Sequence, residues 1–368
     1  VLVSAGGTGG HITPALAIVA EIQASPTPAE AILWVGTAGE MEETLVPRAG
    51  HLLETISGGG LHGVGLWNAL RNGARLARGW WQARRLARRF RPDVVLLTGG
   101  YTNGPVALAA WERRTPMVIF LPDIEPGLAI KTLGRLASCV ACTAQASQAY
   151  LPAGKAVVTG YPIRPDLVPE MGPAEARSTF SLSPDCPTLL VFGGSRGART
   201  INYALMDILP ELLADYQVIH VSGRLDWETV AERAGQLPAE LRVRYRPFPY
   251  LHEEMGLAFR AADLVVSRAG AATLGEFPAL GLPAILVPYP YAWRYQKVNA
   301  DYLAAAGAAV RLNDEDMAVQ LLPTIRRLMN DTAALERMRE AARSLDRPGA
   351  ARRVADLLVS LAPEESSQ

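Results

Sequence analysis

Cysteine is scarce in this sequence: Cys139, Cys142 and Cys186 are the only three in 368 residues. So odd and sparse a set excludes a disulfide framework and points to a reducing compartment. Cys139 and Cys142 have CxxC spacing, but no second pair or nearby histidine completes a metal site. Both fall in an apolar run, 138–144, that reads as a buried strand. No uninterrupted apolar run approaches the roughly 18 residues of a membrane-spanning helix. Net charge is missing too, since Lys plus Arg and Asp plus Glu both come to 36, so overall electrostatics select no partner. Two nucleotide-binding patterns are also absent. No GxxxxGK[ST] occurs, and Gly7-x-Gly9 is followed by Ile12 where a dinucleotide fingerprint needs its third glycine. The next strand ends in Val35-Gly36-Thr37 rather than in the acid that would hold a ribose. The chain opens directly on an apolar strand without an initiating Met, so a few residues are expected to precede it, and no secretory signal is expected.

What is present is a globular composition, 49% hydrophobic and 20% charged with 33 Gly and 27 Pro, long enough for two compact cores. Residues 1–5 form a short apolar run with β-branched members. Gly6-Gly7-Thr8-Gly9-Gly10-His11 follows, then a helical period over 14–22 with Pro14 near its first turn. Residues 188–192 repeat the plan, leading into Gly193-Gly194-Ser195-Arg196-Gly197-Ala198 and a helix that runs to Leu209. Two strand–glycine turn–helix units, each heading a β/α alternation, predict an α/β protein of twin doubly wound domains. Further strands are predicted over 31–35, 93–97, 117–120 and 139–143, then over 217–221, 264–267 and 284–287. Tyr161-Pro162-Ile163-Arg164-Pro165, with Pro169 and Pro173 beyond, reads as an interdomain linker. The division is therefore 1–161, 162–345 and a tail of 346–368, whose helix over 351–361 is a candidate to pack back on the first domain.

A glycine turn between strand and helix lets backbone N–H groups approach a phosphate at the positive end of the helix dipole. His11 and Ser195 add polar groups at the two helix entrances. A third small-residue turn, Ser267-Arg268-Ala269-Gly270-Ala271-Ala272, enters a helix on which Glu276 is placed to accept both hydroxyls of a ribose. The run over 281–288 reads as a strand ending in a Pro/Tyr-rich loop, beyond which Gln296 and Asn299 suit sugar hydroxyls.

GGTGGH over 6–11, GGYTNGP over 99–105, GYPIR over 160–164, GGSRGA over 193–198, SRAGAATLGE over 267–276 and GLPAILVPYPY over 281–291 occur in that order. As an ordered set they resemble the MurG-type N-acetylglucosaminyltransferases of peptidoglycan synthesis. Those enzymes add GlcNAc from UDP-GlcNAc to the muramoyl-pentapeptide diphospho-undecaprenol lipid. The resemblance implies a GT-B fold, two Rossmann-like domains facing a cleft, with the nucleotide held mainly by the C-terminal domain. It implies that Thr8, Gly9 and Gly10 line the first loop and that Arg164 and Ser195 face the diphosphate. Ala271, Ala272, Thr273, Leu274, Gly275 and Glu276 would cradle phosphate and ribose. A backbone group near Phe248 and Pro249 would meet the uracil, and Gln296 would hold the donor sugar. Two stretches depart from the family pattern. Its HEQN is Phe120-Leu121-Pro122-Asp123 here, so its Asn falls on Asp123 and its His on Phe120; Trp293-Arg294-Tyr295 replaces the usual polar group ahead of Gln296. Both bear on sugar and acceptor rather than on UDP.

Inverting transfer needs a base for the acceptor hydroxyl and stabilisation of the leaving diphosphate. His11 is the first candidate base, its ordinary pKa lying near working pH, with Asp123 and Glu125 as rivals. Arg164, Ser195 and the helix after Gly194 are expected to stabilise UDP without a required metal or other cofactor; a divalent cation would at most stimulate. From Thr55 to Pro92 there is no Asp or Glu, while Arg71, Arg75, Arg78, Arg84 and Arg85 interleave with Trp67, Trp80 and Trp81. Such a stretch suits an anionic membrane surface and a polyprenyl-diphosphate-linked acceptor, giving a peripheral protein on the cytoplasmic face of the cell membrane. Nucleic acid is the other reading of a basic patch, and the neutral total weighs against it. A related UDP-sugar transferase with another acceptor, a non-hydrolysing UDP-GlcNAc epimerase and a silent UDP-sugar binder are the alternatives.

Overall fold

The computed structural model describes residues 1–7, 9–59, 66–100, 102–194, 197–291 and 294–363, with backbone alone for 66–71. Two compact units result, Val1–Arg164 with Arg347–Gln368, and Pro165–Asp346.

The first unit is built on strands β1 (Leu2–Ala5), β2 (Leu33–Thr37), β3 (Leu52–Ile56), β4 (Val95–Gly99), β5 (Met117–Leu121), β6 (Cys139–Cys142) and β7 (Ala156–Val158). They form one parallel sheet in the order β3-β2-β1-β4-β5-β6-β7. Its helices are α1 (Gly9–Gln23), α2 (Glu42–Arg48), α3 (Leu66–Phe90), α4 (Asn103–Glu112) and α5 (Leu128–Leu133). A parallel sheet covered on both faces needs strands apolar on both faces, and β5, Met-Val-Ile-Phe-Leu, is buried at every position. On one face Leu2, Val95, Leu97, Ile119 and Leu121 meet Ala83 and Leu86 of α3 and Val106 of α4.

The second unit carries β8 (Thr188–Phe192), β9 (Gln217–Val221), β10 (Tyr245–Phe248), β11 (Leu264–Ser267), β12 (Ala284–Leu286) and β13 (Ala309–Arg311). These pair in the order β10-β9-β8-β11-β12-β13, again parallel throughout. Its helices are α6 (Pro173–Thr179), α7 (Arg199–Asp215), α8 (Trp227–Gln236), α9 (Ala239–Arg242), α10 (Met255–Ala261), α11 (Thr273–Leu280), α12 (Tyr295–Ala305), α13 (Met317–Met329) and α14 (Thr332–Ser344).

In each sheet the strand order reverses once, between β1 and β4 and between β8 and β11. The crossovers on either side of a reversal leave in opposite directions, and the crevice opens at the carboxyl ends of those strands. The glycine motifs occupy these four loops. The nine strands predicted from sequence are the interior ones. β3, β7, β10 and β13 were not predicted, and all four are sheet edges. Half covered, they lack an apolar run: Leu52 of β3 is 75% exposed, and β10 reads Tyr-Arg-Pro-Phe, with a proline that an edge tolerates.

Helix α1 begins at Gly9 and contains Pro14, earlier than the period over 14–22 predicts. Pro14 has no N–H for the carbonyl of Gly10 four residues back, and the Tyr161 hydroxyl donates to that carbonyl instead (3.2 Å). The C-terminal helix α15 (Ala350–Leu361) packs along α1 and buries Val354, Ala355 and Leu358. Arg353 pins it: Nε and Nη2 donate to the Thr159 carbonyl (2.9 and 2.7 Å), Nη2 to that of Arg347 (2.9 Å) and Nη1 to that of Pro348 (2.8 Å). Losing such a fork costs about 1 kcal/mol or more. Arg353→Ala, and equally Arg353→Lys, is therefore expected to lower the melting temperature by roughly 2–4 °C, as followed by near-UV circular dichroism.

Candidate functional site

At the β1/β4 reversal two glycine turns interlock. The Gly6 N–H donates to the Gly99 carbonyl (3.1 Å), and the β1–β4 register shifts between Ser4 and Ala5 to allow it. Gly99 has φ +146°, and a Cβ there would lie 2.3 Å from Cδ2 of the His11 ring, so the imidazole rests directly on this backbone. Asn103, buried at the start of α4, clasps Gly99 when its amide is oriented to satisfy both of its ends: the oxygen then accepts from Gly99 N–H (2.9 Å) and the nitrogen donates to the Gly99 carbonyl (3.0 Å). The backbone carbonyl of His11 accepts from Thr98 Oγ1 (2.7 Å).

His11 Nδ1 lies 3.2 Å from the Gly6 carbonyl. That oxygen can only accept, so the neutral ring carries its proton on Nδ1 and its lone pair on Nε2. Burial pushes the His11 pKa below its ordinary 6.5, opposed by the negative charge of Asp123, the Gly6 hydrogen bond and the charge of Glu42. Desolvation prevails, so the ring is neutral at pH 7. Asp123 is thus an electrostatic neighbour of His11, whereas buried Glu125 is ion-paired with Lys131 of α5 (3.3 Å). Phe120, which stands where the family's His falls, points into the core, fully buried and edge-on to Tyr161 (5.8 Å between centroids). Gly9 and Gly10 open α1, and Arg164 is half-buried at the end of this stretch. Thr8 lies outside the described residues.

The second unit builds its loops differently. After β8, Gly197 (φ +82°) closes on Gly194 through its N–H (2.9 Å), and a Cβ there would sit 2.2 Å from the Ser222 carbonyl. Ser195 lies outside the described residues. Behind this loop runs a buried polar chain that sequence reading missed. Asn202 of α7 donates to the Ser222 carbonyl (2.8 Å) and to Asp226 (2.9 Å), and its oxygen meets His220 Nε2 (3.0 Å). His220 Nδ1 in turn meets the Tyr245 hydroxyl (2.7 Å), and Asp226 accepts from Arg199 (3.0 Å). Burial depresses the His220 pKa to about 3, so this histidine is a neutral strut rather than an acid–base group. Its only sequence signal is a polar residue inside the apolar run Gln217–Val221.

In the loop after β11, Thr273 turns its hydroxyl back to the Gly270 carbonyl (2.8 Å) and Asn299 ties down the Ala269 carbonyl (3.2 Å). Thr273, Leu274 and Gly275 are buried; of the six residues expected around the nucleotide, Ala271, Ala272 and Glu276 reach the surface. Asn299, expected to suit sugar hydroxyls, is wholly buried. Arg268 is a second missed residue. Nearly buried, it holds Asp314, Thr200 Oγ1 (2.7 Å) and the Val287 carbonyl (3.2 Å), and its guanidinium lies over the Tyr289 ring (5.2 Å). The Tyr289 N–H then donates to Gln296 Oε1 (2.8 Å), which turns the Gln296 amide nitrogen into its outward donor. At the end of β10 the Phe248 carbonyl accepts from Ser222 N–H (3.0 Å), and Pro249, half-buried, has only a carbonyl to offer.

Helix α3 is amphipathic. Ala83, Leu86 and Ala87 face the core, while Arg75, Arg78, Arg85 and Trp81 are exposed. Trp80, expected on the outer face, packs against the core cluster under Arg84, which pairs with Glu112 (3.1 Å). The side chains of Trp67 and Arg71 lie outside the described residues. Among the described residues no helix is long and apolar enough to cross a membrane.

The glycosyltransferase family 28 N-terminal domain matches residues 1–142, and the family 28 C-terminal domain matches residues 188–354. A relative from Roseiflexus sp. (strain RS-1), the UDP-N-acetylglucosamine--N-acetylmuramyl-(pentapeptide) pyrophosphoryl-undecaprenol N-acetylglucosamine transferase, is 41% identical over 97% of this chain and 93% of its own. Among solved structures, Acinetobacter baumannii MurG is similar at a TM-score of 0.75 and 25% identity, covering 98% of both chains. UDP-GlcNAc 2-epimerase from Neisseria meningitidis, solved with UDP-GlcNAc, has a TM-score of 0.67 at 13% identity, covering 98% of this chain and 99% of its own, a likeness of fold alone.

The Gly99 contact makes a sharp prediction. Gly99→Ala is expected to lose about 2 kcal/mol or more in urea unfolding, through strain and displacement of the ring. Gly104→Ala, where an added Cβ meets nothing within 4 Å, is expected to be neutral or slightly stabilising.

Proposed function

Because the chain belongs to the MurG-type N-acetylglucosaminyltransferases of glycosyltransferase family 28, we propose that it moves GlcNAc from UDP-GlcNAc to the muramoyl-pentapeptide diphospho-undecaprenol lipid. The observation that carries this is the 41% identity to a named transferase over nearly the whole of both chains. The epimerase likeness, at 13% identity, does not compete with it.

The first unit takes the acceptor. His11 Nε2 accepts the proton of the acceptor hydroxyl as that oxygen bonds to the donor's anomeric carbon and the bond to the UDP oxygen breaks, with inversion. The imidazolium so formed is stabilised by the charge of Asp123. Glu125, engaged by Lys131, is the weaker base. The second unit takes the donor. Glu276 accepts from the ribose hydroxyls, and the Pro249 carbonyl accepts from the uracil N–H. Gln296 donates to a hydroxyl of the GlcNAc, since its oxygen is held by Tyr289. Arg164, Ser195 and the amino end of α7 meet the diphosphate and stabilise the leaving UDP. No metal is required in this scheme, and a divalent cation at most stimulates.

The lipid-linked acceptor calls for contact with a membrane. The exposed Arg75, Arg78, Arg85 and Trp81 of α3 are proposed to dock on the anionic cytoplasmic leaflet, without entering it deeply.

Four measurements test this reading. UDP release from UDP-GlcNAc is expected to depend on a short-chain muramoyl-pentapeptide lipid; donor binding without turnover on that acceptor would point to another acceptor. His11→Ala is expected to lower kcat by roughly 10²–10⁴-fold with the KM for UDP-GlcNAc within about twofold. A pKa held below 6.5 keeps the base unprotonated at neutral pH, so kcat is expected to be flat near pH 7 and to fall only below pH 6.5. The same limb is expected in kcat/KM, which reports the free protein, and its loss in His11→Ala assigns it to His11. In flotation assays, vesicles with phosphatidylglycerol are expected to carry the protein and neutral vesicles not; Arg75→Glu with Arg85→Glu is expected to abolish the difference.

A further inference from the structure

The mechanism leaves a buried acid of the first unit unused. Glu42, at the first position of α2, is 1% exposed, a rare state for a carboxylate without fixed partners. Its partners are backbone amides of two different loops. Oε2 accepts from Gly7 N–H (3.0 Å) in the turn between β1 and α1, and Oε1 accepts from Thr37 N–H (2.9 Å) at the end of β2. The space it fills exists only because two neighbours lack side chains. A Cβ on Gly6 would lie 2.3 Å from Oε1, and one on Gly36 would lie 2.5 Å from Cγ. The next residue, Glu43, turns away to Gly39 N–H (2.9 Å).

The turn that Glu42 grips is the one that orients the base. Gly6, whose carbonyl fixes the His11 tautomer, directly precedes the Gly7 N–H that the carboxylate holds. The gripped amide is moreover unavailable to a phosphate, so this glycine turn serves as a mount for the imidazole rather than as an anion cradle at Gly7. We propose that Glu42 is a positioning residue for transfer, its buried carboxylate fixing the turn that orients His11. The inference rests on His11 being the base.

Among the described residues, these groups bear on the imidazole. Asp123 comes from the segment after β5, Glu42 from α2 and the Gly6 carbonyl from the turn itself. β4 presents Thr98 and Gly99, which carry no charge, and the Tyr161 hydroxyl donates to the Gly10 carbonyl. From α15, packed along α1, Arg353 is committed to the carbonyls of Thr159, Arg347 and Pro348. Among the described residues Asp123 and Glu42 are acids that favour the imidazolium, and removing one makes His11 harder to protonate.

The test is the pH profile of kcat for Glu42→Gln, with UDP-GlcNAc and a short-chain lipid acceptor. The amide keeps the shape, loses the charge and sets an NH2 against one of two backbone N–H groups. Expected are a kcat lowered about tenfold or more, a KM for UDP-GlcNAc within about twofold, and an acid limb displaced to lower pH by roughly half a unit or more. Glu42→Asp keeps the charge but cannot reach both amides. It is expected to lose rate with its acid limb where the wild type has it, and it carries the test if the Gln variant does not fold. An acid limb unmoved in Glu42→Gln, or a wild-type rate in either variant, overturns the proposal. If His11→Ala retains turnover, the assignment of the base falls and this inference with it. If His11→Ala is inactive and the limb of Glu42→Gln is unmoved, only the role of Glu42 falls.

Discussion

The imidazole of His11 lies against the bare backbone of Gly99, and much of the first unit's carboxyl edge is arranged around that contact. It requires β1 and β4 to run as neighbours, with helices leaving on opposite faces, so that their loops approach end to end. It requires a register shift between Ser4 and Ala5 so that Gly6 can reach Gly99. It requires a left-handed backbone at position 99, where a side chain would occupy the ring's volume. Asn103 and Glu42 then hold the two turns from behind, one through Gly99 and the other through Gly7. A ring fixed in this way has one tautomer and one orientation, which is what a base needs before substrate arrives.

The second unit meets the same topological demand by polar ties. Its chain from Tyr245 through His220, Asn202 and Asp226 to Arg199 links β10, β9, α7 and the loop after β9. Each buried group in that chain has a partner, and such networks are rigid when complete because every broken link would leave an unsatisfied group in a low dielectric. Keeping His220 neutral avoids burying a charge. Arg268 does the same work on the other side of the reversal, joining β11, α7, the loop after β12 and the turn at Asp314 through one guanidinium. A lysine there could not serve four directions, because only a planar fork with a stackable face can bond laterally and cover Tyr289 at once.

The interior of both sheets was legible because a strand buried on two faces must be apolar at nearly every position. The edges were not, since β3 and β10 have one open side and carry Glu54 and Arg246 there. The glycine motifs were legible for a related reason: close backbone approach admits few residues. Glu42, His220 and Arg268 escaped detection because their roles depend on partners distant in the chain, such as Gly7 for Glu42, Asn202 for His220 and Asp314 for Arg268. A lone acid at the start of a short helix, or a histidine in an apolar strand, carries no local mark of such a partner. Trp80 was misplaced for the opposite reason. In a helix whose face alternates Arg with Trp, neighbouring tryptophans 80 and 81 differ by 100° about the axis, and only the second can look outward.

The replacement of a polar family position by Phe120 follows from the same packing. Phe120 is fully buried and meets Tyr161 edge-on, and the Tyr161 hydroxyl supplies Gly10 with the hydrogen-bond donor that Pro14 lacks. Phe120, Tyr161, Pro14 and the first turn of α1 therefore form a single packed feature, although they are spread over 147 positions of chain, from Pro14 to Tyr161. An aromatic ring at 120 supports Tyr161 from the apolar side. In the proposed reaction the chemistry at this edge is carried by His11, and the rigidity gained at the root of α1 is transmitted to His11 one residue after the stabilised carbonyl.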